Sequence, residues 1–212
     1  MSEYTLYCFA QSGNAYKAAL MLELNGLDWR PQFVDFFNGE TRQPTYREIN
    51  VMGEVPVLVH KDRRYSQSGV ILDYLAEVTG KYGFSNDEER RDILRWTLFD
   101  NHKVSGVAGT WRFLKVIAPS ADPAVIAFLE QRVKTALQVM EQHIANRDFF
   151  ALQGPSIADF SLAGYIFFVE EAGLDLKKEY PAVAAWRDRL AALPGWKHPY
   201  DLMPGHPLPG RG

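Results

Sequence analysis

The chain reads as an α/β domain over residues 1–80, with element order βαβ-α-ββα, followed by an all-helical domain over 87–195 and a Pro/Gly-rich tail over 196–212. Three observations predict this. Short aromatic and β-branched segments bounded by turn formers occur only before Gly80, while everything after the polar stretch Lys81–Arg91 carries helical spacing. A proline stands between two valines, Val55-Pro56-Val57, where a third strand should begin. Tyr65-Ser66-Gln67-Ser68 then opens an apolar helical pattern. At 212 residues the chain is long enough to bury a core in each domain.

Tyr4 to Phe9 is short and aromatic and gives a first strand, followed by a loop from Ala10 to Asn14. From Ala15 the residues Ala18, Ala19, Leu22 and Leu24 recur at helical spacing until Asn25-Gly26 supplies a stop. Trp29 to Phe37 reads as the second strand and its exit, and Thr41 to Ile49 as a weaker helical segment. Val57 to His60 with Arg63 to Tyr65 reads as a hairpin. Val70, Ile71, Tyr74, Leu75 and Val78 then share one helix face. Beyond Gly80, helices are expected over roughly Asp87–Val116, Pro123–Ile144, Ser156–Glu171 and Pro181–Leu193. The breaks fall at Ala118-Pro119, Asn146-Arg147-Asp148 and Gly173. Ser156 with Asp159 is a variant capping box and is assigned to folding. The tail, with Pro199, Pro204, Pro207 and Pro209, is expected to lack regular structure.

Composition excludes several classes of function. The formal net charge of −3 and the scattered Lys and Arg give no basic field for nucleic acid. No apolar run approaches the roughly 18 residues of a membrane span. Cys8 is the single cysteine, so no intrachain disulfide can form. With no basic-then-apolar leader, the expected compartment is the cytoplasm. His60, His102, His143, His198 and His206 show no metal-ligand spacing, and no metal is expected. A Gly-rich phosphate loop, a paired-cysteine motif and a Gly-x-Ser-x-Gly elbow are all missing from the sequence, so kinase, dithiol oxidoreductase and hydrolase readings lack their defining parts.

Gly53 to Leu58 together with Gln67-Ser68 describes a small-ligand site built largely from backbone. Pro56 cannot donate to a ladder, so it marks a strand entrance beside which N–H and C=O groups stay open to a peptide. A cis Val55–Pro56 bond would aim the Val55 backbone outward. Ser68 offers a hydroxyl and helix N-terminal amides to an anion; its plainer role as a helix cap uses the same helix end. The ligand such a site requires is peptide-like in its middle and carboxylated at one end.

Over nearly its whole length the chain resembles the cytosolic glutathione transferases. Gly53–Leu58 looks like the segment that carries that family's cis proline. Gln67-Ser68 ahead of Ile71, Tyr74 and Leu75 looks like its glutamyl-recognition motif, and Ser156-Ile157-Ala158-Asp159 after Gly154 is the third matching piece. The resemblance implies a thioredoxin-like N-terminal domain joined to an all-α domain, and a homodimer that uses glutathione as co-substrate in detoxification. Glutathione would be held by Val55, Pro56, Gln67 and Ser68, and its sulfur delivered to a small hydrophobic electrophile. Three positions depart from the pattern. Gln67 stands where Glu is common, Val51 stands after Asn50 where Asn-Pro is common, and Glu54 occupies a place often basic or polar, which puts any side-chain contact from Glu54 in doubt.

Chemistry with glutathione needs its thiolate, so the protein must place a donor at the end of strand one or the start of helix one. Ser12, in Gln11-Ser12-Gly13-Asn14, resembles the serine of theta-like, nu-like and many bacterial members and is the first candidate; Asn14 is the second. Cys8 is a rival able to form a mixed disulfide, its plainer reading being a buried strand residue. By the same resemblance the co-substrate pocket would draw on Phe9, Ala10 and Trp111. A glutathione-dependent peroxidase or disulfide reductase would share every site residue with the transferase. A non-catalytic glutathione-transferase-like binding protein would keep Pro56 and the caps and lose the thiol-activating group.

Overall fold

A computed structural model describes residues 2–118 and 121–207. The expected break at Pro119 and the tail residue Pro209 lie outside the described residues. The chain divides into two compact units, residues 1–81 with 194–212, and residues 82–193.

In the first unit β1 (Tyr4–Cys8), β2 (Trp29–Phe33), β3 (Val57–His60) and β4 (Arg63–Ser66) form one four-stranded sheet in the order β2-β1-β3-β4. β1 and β2 are parallel, as a crossover through α1 (Gly13–Leu24) demands, and the other two pairings are antiparallel. Tyr4, Leu6 and Cys8 alternate into the core, giving β1 the period-2 pattern of a strand with one face covered. α1 begins two residues earlier than its apolar spacing indicates, because the Ser12 side chain caps it, so Asn14 is helical rather than part of the loop. Between β2 and β3 the single helical segment expected is broken up. Gly39, at φ +83, separates two 3₁₀ turns, Phe36–Asn38 and Glu40–Arg42, and α2 (Pro44–Arg47) follows. α3 (Ser68–Thr79) turns Ile71, Leu72 and Leu75 inward and packs against α1.

The second unit is helical throughout its described residues. α4 (Asp87–Phe99) starts where the Asn86 side chain accepts from the amides of Glu88 and Glu89, with Asp87, Glu88 and Glu89 complementing the helix N-terminus. The long helix expected here is interrupted by π-helical turns at Asp100–Ser105 and Phe113–Ile117, on either side of α5 (Gly106–Arg112). Asp100 accounts for the first interruption. Its carboxylate is fully buried and accepts from the Ser105 hydroxyl at 2.7 Å and the Ser161 hydroxyl at 2.6 Å, which draws that turn inward. α6 (Pro123–Ile144) has Asp122 at its cap and proline at its first position. α7 (Ile157–Ile166), a 3₁₀ turn at Val169–Ala172, α8 (Leu176–Glu179) and α9 (Pro181–Ala191) complete the unit. No described helix is long and apolar enough to cross a membrane.

The tail differs from the expectation of an irregular segment. α10 (Pro199–Leu202) forms a helical turn, and the tail packs within the first unit with Leu202 and Met203 buried. The Tyr16 hydroxyl donates to the Lys197 carbonyl at 2.9 Å, and the Lys197 ammonium pairs with Glu23 at 2.5 Å.

Asp159 does more than close a capping box. One carboxylate oxygen accepts from the Ser156 amide at 3.0 Å and the Ser156 hydroxyl at 2.9 Å. The other accepts from the Phe150 amide and the Trp186 indole, both at 2.9 Å, tying the 150 loop and α9 to the start of α7. Burial raises the carboxyl's pKa, and the four donors oppose that shift. Replacing Asp159 by Ala strands these donors in a buried site. The change should lower unfolding free energy by about 3–5 kcal/mol, measured as a lower denaturant midpoint at unchanged slope.

Candidate functional site

The chemistry-bearing residues of the first unit lie at one end of its sheet. β1 and β3 last pair at Tyr7 and Val57, and β3 and β4 at Val57 and Ser66. Past this level β1 runs into Cys8-Phe9-Ala10, β3 is preceded by Val55-Pro56, and β4 runs into Gln67-Ser68. Carrying the register outward sets Val55 across from Ser68. The Val55–Pro56 bond is cis and Pro56 is buried. Val55 is half-buried, and among the described residues none hydrogen-bonds to its N–H or C=O. The four candidate ligand residues Val55, Pro56, Gln67 and Ser68 are thus brought together.

The chain leading to Val55 is anchored from below. Gly53 has φ +65, and a Cβ there would fall 2.9 Å from both the Arg47 guanidinium carbon and the Thr41 carbonyl oxygen, so only glycine fits. The Glu54 carbonyl accepts from the Tyr46 hydroxyl at 3.0 Å and the Asn50 amide at 2.9 Å, and both donors belong to buried residues. Across the gap Gln67, at φ +68, precedes α3, whose first residue Ser68 is buried and whose first turn holds no acidic side chain. That leaves the amides at the helix start available to an anion. The Gln67 side-chain amide donates to a Glu54 carboxylate oxygen at 3.0 Å and approaches the Met52 sulfur at 3.0 Å. The sequence put side-chain contacts of Glu54 in doubt; here Glu54 has one, and it is with Gln67.

At the N-cap of α1, Ser12 is 5% exposed and its hydroxyl oxygen accepts from the Ala15 amide at 3.1 Å. That bond occupies a lone pair and leaves the hydroxyl proton to donate elsewhere; accepting an amide proton also polarises the O–H and strengthens it as a donor. Asn14 sits in the first turn of α1, and its buried side-chain oxygen has no hydrogen-bond partner among the described residues. Cys8 is fully buried, and burial pushes its thiol up to about 12. This is the plainer reading of Cys8, a core residue of the strand.

The three residues expected to line a co-substrate pocket are each buried within their own unit. Phe9 stacks on Phe36 with ring centroids 4.9 Å apart, and Ala10 is fully buried. Trp111 is fully buried in α5 with the Lys115 ammonium 4.9 Å from its ring. Sequence reasoning also missed the partners of the Ser12 loop. The Ala10 amide donates to the Pro204 carbonyl at 2.7 Å, and the Gln11 side chain donates to the Gly205 carbonyl at 2.7 Å. No local signal marks a contact between the two ends of a chain. The Gln67–Glu54 contact escaped as well, since the hairpin register carried outward sets residue 54 across from residue 69 and the contact is made diagonally by side chains.

The four-stranded mixed sheet of the first unit and the helical second unit are a thioredoxin-like domain and an all-α domain. Residues 11–78 match the family model for the glutathione S-transferase N-terminal domain, and residues 123–189 match that for its C-terminal domain. The curated Glutathione S-transferase 2 of Schizosaccharomyces pombe is 30% identical, with 96% of this chain and 97% of that one covered. The Disulfide-bond oxidoreductase YfcG of Escherichia coli is 26% identical over 88% of this chain and 89% of its own. Among solved structures, a glutathione S-transferase from Xanthobacter autotrophicus is similar with a TM-score of 0.85 and 34% identity, covering 92% of this chain and 95% of that one. The chain belongs to the cytosolic glutathione S-transferase family.

A thiol with its pKa near 12 is almost entirely protonated at neutral pH and, being buried, is shielded from reagents. Native protein at pH 8 should therefore give no colour with a disulfide reagent for thiols, and one equivalent should appear once denaturant unfolds the first unit.

Proposed function

We propose that this protein is a glutathione transferase of the serine type, which ionises the glutathione thiol and directs it at a small hydrophobic electrophile. The observation that carries the reading is the unpaired Val55 peptide group facing the start of α3, at the same end of the sheet as Ser12. The cysteinyl residue of glutathione would pair its backbone with the Val55 N–H and C=O, as an extended peptide adds to a sheet edge. Its glutamyl carboxylate would settle on Ser68 and the amides of α3. Val55, Pro56, Gln67 and Ser68 are thus the binding residues, and the protein is a cytoplasmic homodimer in this reading.

Ser12 supplies the chemistry. Its hydroxyl donates to the sulfur, and the N-terminus of α1 adds a favourable field for the negative charge. Lowering the thiol pKa by about two units corresponds to roughly 2.7 kcal/mol of preference for the thiolate, within reach of one such donor in a partly dry site. The thiolate then attacks the electrophilic carbon and the leaving group departs with the bonding pair; Ser12 keeps its own proton. Asn14, one residue past Gly13, is the second candidate donor. The relative named as a disulfide-bond oxidoreductase supports a second reading in which the same thiolate attacks a disulfide sulfur and expels a thiolate.

Calorimetry tests the binding step: heat of binding is expected on titrating glutathione, and its absence at millimolar ligand overturns the proposal. For the chemical step, Ser12→Ala should lower kcat/KM about a hundredfold and move the acid limb of its pH profile to higher pH. The dissociation constant for glutathione should change less than about threefold, since Ser12 touches only the sulfur. An undiminished ultraviolet thiolate band in the Ser12→Ala complex would remove Ser12 from this role.

A further inference from the structure

We propose that Glu54 is the counterion for the α-ammonium group of the bound γ-glutamyl end, with Gln67 as the neutral link that holds the two in line. This rests on the glutathione site just described. A γ-glutamyl group carries its carboxylate and its ammonium on the same carbon. Once the carboxylate is seated on Ser68 and the amides of α3, the ammonium must fall within a few ångströms of that helix start. It needs acceptors there.

Gln67 directly precedes Ser68, yet its side chain is neutral. A carboxylate only accepts, so the 3.0 Å contact with Glu54 assigns the NH₂ end of the Gln67 amide to Glu54 and leaves the amide oxygen as an acceptor on the same group. The positive φ of Gln67 and the two hydrogen bonds on the Glu54 carbonyl fix where both side chains begin. Among the described residues no cation pairs with Glu54, so its charge is not already neutralised. An ammonium placed here would donate to the Gln67 oxygen and to Glu54 together. Glu54 is a binding residue that selects for a free α-amino group, and Gln67 is a positioning residue as well as a contact.

The test uses the full chain and two ligands, glutathione and its deamino analogue, in which hydrogen replaces the α-amino group. Glu54→Gln should weaken glutathione binding about tenfold, since a charged hydrogen bond is lost, and leave binding of the deamino analogue within about twofold of wild type. The exchange variant Glu54→Gln with Gln67→Glu restores an anion at the same spot and should recover most of the lost affinity. Three results each overturn the assignment: equal glutathione binding by Glu54→Gln and wild type, an equal loss for both ligands, or an exchange variant no better than Glu54→Gln. Failure of wild type to bind either ligand overturns the glutathione site itself and the Glu54 assignment with it. Wild-type binding with an unaffected Glu54→Gln variant overturns the Glu54 assignment alone.

Discussion

The site exists because of where the ladder of the first unit stops. β1, β3 and β4 share a last paired level at Tyr7, Val57 and Ser66, and the next residue of β3 toward the site is Pro56, which has no amide proton to continue the pairing. Val55 beyond it is left with a peptide group that the sheet does not use. The same level is where β1 must leave the sheet for α1 and where β4 turns into α3, so two helix N-termini converge on it. Unpaired backbone, two positive helix ends and short polar side chains are consequences of one interrupted register. The anchoring of Gly53 and Glu54 by α2 and its flanking turns is what keeps that interruption in place.

Under the proposed function, Ser12 would join a folding role and a chemical role in one atom. A cap needs an acceptor and a bound thiolate needs a donor, and a hydroxyl is both at once. Aspartate could cap α1 as well but would repel the sulfur, and alanine would do neither. Cys8, four residues earlier, meets the opposite fate because the β1 alternation turns it into the core, where desolvation holds the thiol neutral. The difference between the two candidates is therefore environment rather than residue type. A strand's period decides it for Cys8, and a helix end decides it for Ser12.

Much of this was legible in the sequence, and the parts that were not share a cause. The order of strands and helices followed from local spacing, as with α6, whose Asp122-Pro123 start and apolar stripe are both local features. The grouping of Val55, Pro56, Gln67 and Ser68 was legible because a hairpin joins them. What escaped was set by long-range contacts. The π-helical interruption at Asp100 depends on Ser161, sixty-one residues away, and the docking of the tail on Ala10 and Gln11 joins the two ends of the chain. The packing of Phe9, Ala10 and Trp111 was hidden for the same reason, because a sequence pattern gives an aromatic its spacing and not its neighbours. α10 escaped because a proline-rich composition conceals a single turn with proline at its first position.

Two departures from the family's usual residues, read separately, each weaken the case for a working site: Gln67 removes a charge, and Glu54 introduces one of the wrong sign for a place often basic. In the structure they are the two ends of one hydrogen bond. The carboxylate absent at residue 67 is present at residue 54, and the amide between them is oriented by it. The negative charge beside the start of α3 therefore sits at residue 54, one side chain away from residue 67. Such a contact is invisible to reasoning that scores positions one at a time. The contact is diagonal: the β3–β4 register carried outward sets residue 54 across from residue 69, and the Gln67 side chain reaches back to Glu54.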